Sequence, residues 1–226
     1  MEKQKPIKEL ELFLIRHGQS MGNAGYGRDD LTLREANDPV LTETGYIQAN
    51  KAGRHLSNTV FDAVYSSGLI RAVSTAGEIL KYQSEEKSLN ILPSLSEVGI
   101  SPDYFGMTID ELNEFCKCAV IADGINPNSS MVCHSSFENE NELFNRAASV
   151  MEYFQSRYKS GEKIAVVAHA AFLTILIFHI MGFSESPVFD IAIQNTGITR
   201  VIFYKHGTNP YGDISFEEIN STTHLI

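Results

Sequence analysis

Short apolar segments typical of β-strands alternate with segments of helical periodicity along most of this chain. This alternation predicts an α/β fold, a three-layer α/β/α sandwich with a mostly parallel sheet. Strands are predicted over residues 10–15, 61–65, 89–92, 164–168, 198–204 and 214–219. Helices are predicted over residues 42–56, 69–82, 109–118, 141–158 and 171–181. Ligands of such sheets bind beyond the carboxyl ends of the strands.

The length of 226 residues suits a single domain spanning 1–226, with an insertion at about 97–140. Bases number 18 and acids 28, which gives a net charge of 18 − 28 = −10. This charge argues against general binding of nucleic acid or of an anionic membrane. Nine of the acids and one base, Lys117, lie between Glu97 and Asn145.

Residues 164–183 form a run of twenty residues without a formal charge, close to the length of a membrane span. His169, Thr174 and His179 interrupt this run, which favours a buried strand followed by a buried helix. The chain has three cysteines, an odd and small number that does not suit a disulfide framework, and this favours a reducing compartment. We therefore expect a cytoplasmic protein with no membrane partner.

Charged and imidazole side chains follow three of the predicted strands. Arg16 and His17 follow the first strand, Arg71 stands in the first turn of the helix after the second, and His169 follows the uncharged strand. Arginines and a helix N-terminus favour an anion. These residues could hold a phosphate dianion without a metal, with Asn23 as an amide donor. Taken singly, each also fits a structural role, such as a hydrogen-bonding histidine or a surface ion pair.

Five motifs, in order, resemble the signature of the histidine phosphatase superfamily, whose fold is phosphoglycerate-mutase-like. The resemblance runs from about Leu10 to Ile202. The motifs are Leu14-Ile15-Arg16-His17-Gly18-Gln19-Ser20 with Asn23, Leu41-Thr42-Glu43-Thr44-Gly45-Tyr46-Ile47-Gln48-Ala49, Tyr65-Ser66-Ser67-Gly68-Leu69-Ile70-Arg71-Ala72 with Thr75-Ala76, Leu95-Ser96-Glu97, and Val166-Val167-Ala168-His169-Ala170.

The resemblance implies a metal-independent phosphatase of the histidine acid type, with no cofactor. His17 would attack phosphorus and form a phosphohistidine. Glu97 would protonate the leaving oxygen and then activate water. The phosphate oxygens would be held by the remaining site residues, namely Arg16, Arg71, Asn23 and His169.

The chain departs from the family pattern at two places. Ala170 stands where the family has glycine, and its backbone N–H can still donate. The chain has no tryptophan, so Tyr104-Phe105-Gly106 is the candidate for the family's tryptophan-glycine segment. The spacing from Glu97 to this glycine is long, which leaves Asp103 as the alternative general acid.

A hydrolase is favoured over a cofactor-dependent phosphoglycerate mutase. The predicted insertion should cap the active site, and Lys117 is its only base, whereas mutases carry paired arginines there. The substrate is then a small phosphomonoester with a neutral or apolar leaving group, and an acidic cap would repel polyanions. Apolar residues of the insertion would line the site or form its own core: Tyr104, Phe105, Met107, Phe115, Met131 and Phe137.

Two further readings stay open. Cys116, Cys118, Cys133 and His134 could bind a metal, although free buried thiols fit better because Cys-x-Cys is tighter than a usual zinc pair. A non-catalytic phospho-ligand binding module is the second, because a fold does not determine function. The oligomeric state, a homodimer included, is not set by the sequence.

Overall fold

The computed structural model describes residues 5–25, 31–133 and 138–226. Within these ranges seven strands form one sheet in the order β4-β3-β2-β5-β1-β6-β7. The strands are β1 Lys8–Arg16, β2 Ala63–Ser66, β3 Leu89–Ile91, β4 Ala119–Ile121, β5 Glu162–Ala168, β6 Ile198–Tyr204 and β7 Ile214–Ser221. The α-helices are α1 Leu33–Asn37, α2 Glu43–His55, α3 Ile70–Leu80, α4 Ile109–Leu112, α5 Glu140–Arg157 and α6 Ala170–Ile180.

Five neighbouring strands of the sheet, from β4 to β1, run parallel, and β6 and β7 complete it in antiparallel pairing. The carboxyl ends of β1, β2 and β5 therefore lie side by side at one edge. The predicted α/β fold with a mostly parallel sheet is confirmed.

Alternating side chains of β1 serve two cores, because successive residues of a strand point to opposite faces. Leu12 and Leu14 pack with residues of α5 and α6, whereas Phe13 and Ile15 pack with residues of α3. Helices consequently cover both faces of the sheet, which gives the three layers.

The uncharged run from 164 to 183 divides into β5 and α6, with His169 between them. Among the residues that the structure describes, no helix is long and apolar enough to cross a membrane.

The segment expected to be an irregular insertion, about 97–140, contributes a strand to the sheet. Ala119–Ile121 pairs in parallel with β3, and the predicted helix over 109–118 is the single turn Ile109–Leu112 followed by turns. Three residues are too few to show a period of two, so only pairing with β3 identifies this strand. Residues 134–137, which include His134 and Phe137, lie outside the described residues.

Candidate active site

His17 follows β1 directly and is buried at 3% exposure. Its backbone N–H donates to Ala168 O of β5 at 3.0 Å, which fixes the chain at the carboxyl edge of the sheet. Its Nδ1 lies 2.6 Å from Gly18 O. Because a carbonyl oxygen only accepts, the proton of the neutral ring is on Nδ1, and Nε2 carries the lone pair.

His169 follows β5 and is fully buried. The centroids of its ring and the His17 ring are 5.1 Å apart. Its Nε2 lies 2.7 Å from Ser67 Oγ, and its buried Nδ1 has no hydrogen-bond partner among the described residues. The structure therefore brings the two predicted histidines and the loop after β2 together.

Burial and positive neighbours lower the pKa of both histidines. The pKa of His17 lies well below its usual 6.5, first because of burial and then because of the Arg71 charge. The same two causes, in the same order, lower the pKa of His169. Both rings are neutral at pH 7, which is the state in which an imidazole can attack phosphorus.

Two arginines lie beside the histidines. Arg16 donates from Nη1 to Ile193 O at 2.7 Å, and its buried Nε has no partner in the described part of the chain. Arg71 is buried in the first turn of α3 and donates from Nη1 to Asn37 O at 3.1 Å. Burial lowers the pKa of each arginine, and each lowering is opposed by the charge of Glu97. The four predicted cationic and imidazole groups thus form one cluster.

Asp38 is a buried part of this cluster that the sequence analysis missed. Its Oδ1 lies 3.6 Å from Arg71 Nη1 and accepts from Ile70 N at 2.7 Å, while Oδ2 accepts from Tyr104 OH at 2.9 Å. Burial raises the pKa of Asp38 to about 6, although Arg71 opposes this. The pairing is buried, so the surface ion pair considered for Arg71 is wrong. No sequence pattern distinguishes Asp38 from a solvated loop acid.

Glu97 lies against the first turn of α6, the helix that begins directly after His169. Its Oε1 accepts from Phe172 N at 3.1 Å and Val98 N at 3.0 Å, and Oε2 accepts from Ala171 N at 3.4 Å. Asp103, the alternative acid, stands in an exposed turn in which its N–H donates to Ser101 Oγ. The described contacts place Glu97, rather than Asp103, beside the histidines.

Asn23 lies at the exposed rim of the cluster. Its Oδ1 accepts from Ser20 N and from Asn195 Nδ2, both at 3.2 Å. The same Nδ2 also donates to His17 O at 3.0 Å. Asn195 therefore ties the predicted amide donor to the histidine loop, and the sequence analysis did not single it out.

The motif at 41–49 holds the loop that carries His17. Thr42 accepts from Gly45 N at 3.0 Å as the N-cap of α2, and its hydroxyl donates to Gln19 Oε1 at 2.9 Å. Gln48 Oε1 accepts from Gln19 N at 2.8 Å. A Cβ on Gly45 would collide with the Gln19 carbonyl, so only glycine permits this close crossing. The motif therefore positions the loop that carries His17.

Tyr104 belongs to the same buried apolar cluster as Leu69, which lies in the third motif. The Tyr104 hydroxyl donates to Asp38 Oδ2. Gly106 has a φ of 79° and lies close to Met131. Met131 also meets Gly68, directly after Ser67. This part of the segment around 97–140 therefore borders the loop after β2.

The three cysteines are free. The sulfur atoms of Cys116 and Cys118 are 3.1 Å apart, and burial raises the pKa of Cys116 to about 12. The described residues contain no group of three metal-ligating side chains. The fourth candidate ligand, His134, lies outside the described residues.

A parallel sheet whose carboxyl edge gathers two neutral buried histidines and two arginines places a candidate anion-binding site where α/β proteins bind their ligands. Residues 12–210 match the histidine phosphatase superfamily (branch 1), and the chain belongs to this family. The resemblance seen in the five motifs is thereby confirmed.

Relatives of this chain include both phosphatases and mutases. It is 38% identical over 201 residues to 2,3-bisphosphoglycerate-dependent phosphoglycerate mutase of Bartonella henselae, covering 85% of this chain and 91% of the relative. It is 36% identical over 115 residues to fructose-2,6-bisphosphatase TIGAR of Xenopus laevis, which is 50% of this chain but only 40% of that relative. Phosphoserine phosphatase of Entamoeba histolytica, solved with 3-phosphoglyceric acid, superposes with a TM-score of 0.61 at 25% identity, covering 96% and 100% of the two chains.

Proposed function

We propose that this protein is a phosphomonoester hydrolase that works through a phosphohistidine on His17. The observation that carries the proposal is the 2.6 Å contact between His17 Nδ1 and Gly18 O. It commits the ring proton to Nδ1 and leaves the Nε2 lone pair for attack on phosphorus, while burial keeps the ring neutral.

The reaction has two steps. Nε2 of His17 forms a bond to phosphorus as the ester P–O bond breaks, and Glu97, which first takes up a proton from solvent, gives that proton to the leaving oxygen. Glu97 then takes a proton from water, the resulting hydroxide bonds to phosphorus, and the N–P bond breaks to free phosphate. Arg16, Arg71, His169 and Asn23 hold the phosphate oxygens through both steps, and the arginines balance the charge.

A hydrolase is favoured over a phosphoglycerate mutase by the position of Lys117. This base follows Cys116, which packs beside Gly77 in the second half of α3, away from the helix start that holds Arg71. A mutase needs a cation for the second anionic end of its substrate. The mutase remains the second candidate because of the Bartonella henselae relative.

Most of the apolar residues that could line the site or form a separate core are instead buried in clusters shared with the sheet and α3. Tyr104, Met107 and Met131 are each at most 6% exposed, and Phe115 packs against the same core as Met107. Phe105 is 65% exposed, and Phe137 lies outside the described residues. The small phosphomonoester with a neutral or apolar leaving group therefore needs a subsite elsewhere.

A panel of phosphomonoesters, read out as released phosphate, tests the proposal when phosphoglycerate mutase activity is assayed beside it. We expect phosphate release by the wild type and none above background by His17→Ala. Mutase turnover faster than phosphate release supports the second candidate. Binding of phosphate without turnover of any ester would identify a non-catalytic binding module.

We expect the activity to survive a chelator, because Arg16 and Arg71 supply the positive charge that a metal would otherwise provide. Phosphate release should be the same, within about twofold, before and after incubation with EDTA. Loss of activity that zinc restores would favour the cysteine site instead.

The free thiols support the proposed cytoplasmic location.

A further inference from the structure

A cleft of about 780 Å³ opens beside Arg16, between the first half of α6 and the segment 186–194. This volume is within the range of small-molecule sites. Its walls are mostly apolar, with Val98, Leu143, Ala171, Ile175, Val188 and Phe189 among them. We refer to it as the α6 cleft.

The α6 cleft adjoins the group that would protonate the leaving oxygen. Val98 is the residue after Glu97 and donates its N–H to the Glu97 carboxylate at 3.0 Å. Ala171, another wall residue, also donates to that carboxylate. A leaving oxygen must come within hydrogen-bond distance of Glu97 to take its proton. The carbon attached to this oxygen therefore enters the mouth of the α6 cleft.

Charge within the α6 cleft disfavours a second anionic group. Arg16 and Asp190 are the charged residues of its lining, and Arg16 lies in the phosphate cluster. The Asp190 carboxylate is held by the N–H of Ile191 at 2.7 Å. A carboxylate or second phosphate on the leaving group would meet Asp190, and Arg16 is the cation that the described lining offers to offset it.

The far wall of the α6 cleft is held by an aromatic cluster but remains exposed. Phe189 packs edge-on against Phe178 and Phe183, with ring centroids 5.6 and 6.0 Å away. Phe189 is still 52% exposed, and Val188 is fully exposed. Apolar surface of this kind beside a reactive site gains from contact with an apolar ligand.

We infer that the α6 cleft is the leaving-group subsite and that it selects monophosphate esters of uncharged, apolar alcohols. The inference rests on the proposed hydrolase function and adds where the alcohol binds and which esters are preferred. The specificity residues are then Val188, Phe189 and Asp190, and none of them contacts the phosphate.

Methyl phosphate and hexyl phosphate test the inference, because their leaving alcohols have similar acidity and differ in apolar length. A buried methylene is worth roughly fourfold in affinity. Burial of two or three of the five extra methylenes predicts a kcat/KM for hexyl phosphate about thirtyfold above that for methyl phosphate. The product is measured as free phosphate.

Val188→Asp and Phe189→Asp place a charge in the wall, and Val60→Asp is the matched control. Val60 is likewise an exposed valine, but it lies just before the amino end of β2, at the opposite end of the strands from the α6 cleft. We expect the hexyl preference to fall at least about tenfold in both cleft variants and to persist in the control. Inhibition by inorganic phosphate should be unchanged in all three.

The possible results separate the subsite from the reaction itself. Equal kcat/KM for the two esters in the wild type overturns the subsite and leaves the hydrolase standing. The same holds if both cleft variants keep the hexyl preference of the control. If neither ester is hydrolysed faster than by His17→Ala, the proposed function fails and the subsite fails with it.

Discussion

Burial acts in opposite directions on the histidines and on the carboxylate that surround the candidate site. It lowers the pKa of His17 and His169 and raises that of Asp38, because burial disfavours whichever form is charged. Arg71 strengthens the first effect and opposes the second. At pH 7 the site therefore combines neutral rings with an Arg71–Asp38 ion pair. The neutral rings suit an imidazole nucleophile, whereas Asp38 offsets part of the Arg71 charge and leaves Arg16 as the other cation for a phosphate dianion.

Glu97→Gln should slow the hydrolysis of an ester more strongly when its leaving group is more basic. The amide cannot donate the proton that an alkoxide needs, whereas a nitrophenolate leaves without it. We expect kcat for an alkyl phosphate to fall by about 10² to 10⁴ and kcat for an aryl phosphate to fall much less. Asp103→Asn, in the exposed turn, is the control and should leave both rates near the wild type. Equal losses on both esters would exclude Glu97 as the acid.

Site residues at the ends of strands could be predicted from the sequence. The loop residues that contact those side chains could not. Arg16, His17 and His169 could be located because parallel strands bring their carboxyl ends together. Asp38 and Asn195 lie in loops, and only the folded chain shows that they contact Arg71 and the His17 carbonyl. Loop residues carry no periodicity that sequence analysis could use.

At the scale of elements, the crossing between the His17 loop and α2 depends on two glycines. A Cβ on Gly18 would strike Gly45 O, and a Cβ on Gly45 would strike Gln19 O. Thr42 and Gln48 add the hydrogen bonds that keep the two backbones together. The helix thus determines where His17 stands.

Gly45→Ala and Gly77→Ala are the same substitution in two helices and should have opposite effects. Alanine normally stabilises a helix interior by about 1 kcal/mol relative to glycine. At Gly77 the new Cβ would stand 3.5 Å from Cys116, an ordinary contact, so stability should rise. At Gly45 it would collide with backbone, so stability should fall and activity should drop. Urea unfolding of both variants measures this, and stabilisation by Gly45→Ala would refute the tight crossing.

Long elements were predicted better than short ones. Strands β5 and β6 and helices α3, α5 and α6 lie within about two residues of their predicted ranges at each end. The five-residue α1 and three-residue β4 were missed. The first depends on its Thr32–Glu35 capping box and the second on pairing with β3. Neither is long enough to show a hydrophobic period.

For the whole molecule, several acids of the stretch from Glu97 to Asn145 have structural roles of their own. Glu138 pairs with Arg146 at 2.7 Å, while Glu111 and Glu142 complete the capping boxes of α4 and α5. Glu97 itself lies at the α6 N-terminus. Much of this charge therefore has local structural partners, and selection against polyanions is better assigned to Asp190 in the α6 cleft.

Stability should decrease when the pH falls below about 6.5. In the unfolded chain His17 and His169 take up protons near their usual pKa, whereas in the fold their lowered pKa keeps them neutral. The unfolded state then binds more protons, which favours unfolding by up to about 1.4 kcal/mol per pH unit for each ring. Asp38 opposes this between about pH 6 and 4, because its raised pKa lets the fold take up that proton first.

Urea unfolding at pH 7 and pH 5.5 measures this dependence. His169→Gln should weaken it, because one of the two buried rings is removed. His206→Gln is the control, since His206 is exposed and Asp213 raises its pKa, so its removal should not weaken the loss at low pH. An unchanged pH dependence in His169→Gln would contradict the burial effect.

Trapping of the phosphoenzyme tests the central role of His17 most directly. The wild type is mixed with an aryl phosphate, quenched in alkali within milliseconds, digested and mapped by mass spectrometry. We predict a phosphate on His17 that is stable in alkali and lost in acid, together with its absence in His17→Ala at equal substrate binding. A wild-type enzyme that turns over the ester while His17→Ala retains near wild-type phosphate release would contradict the account.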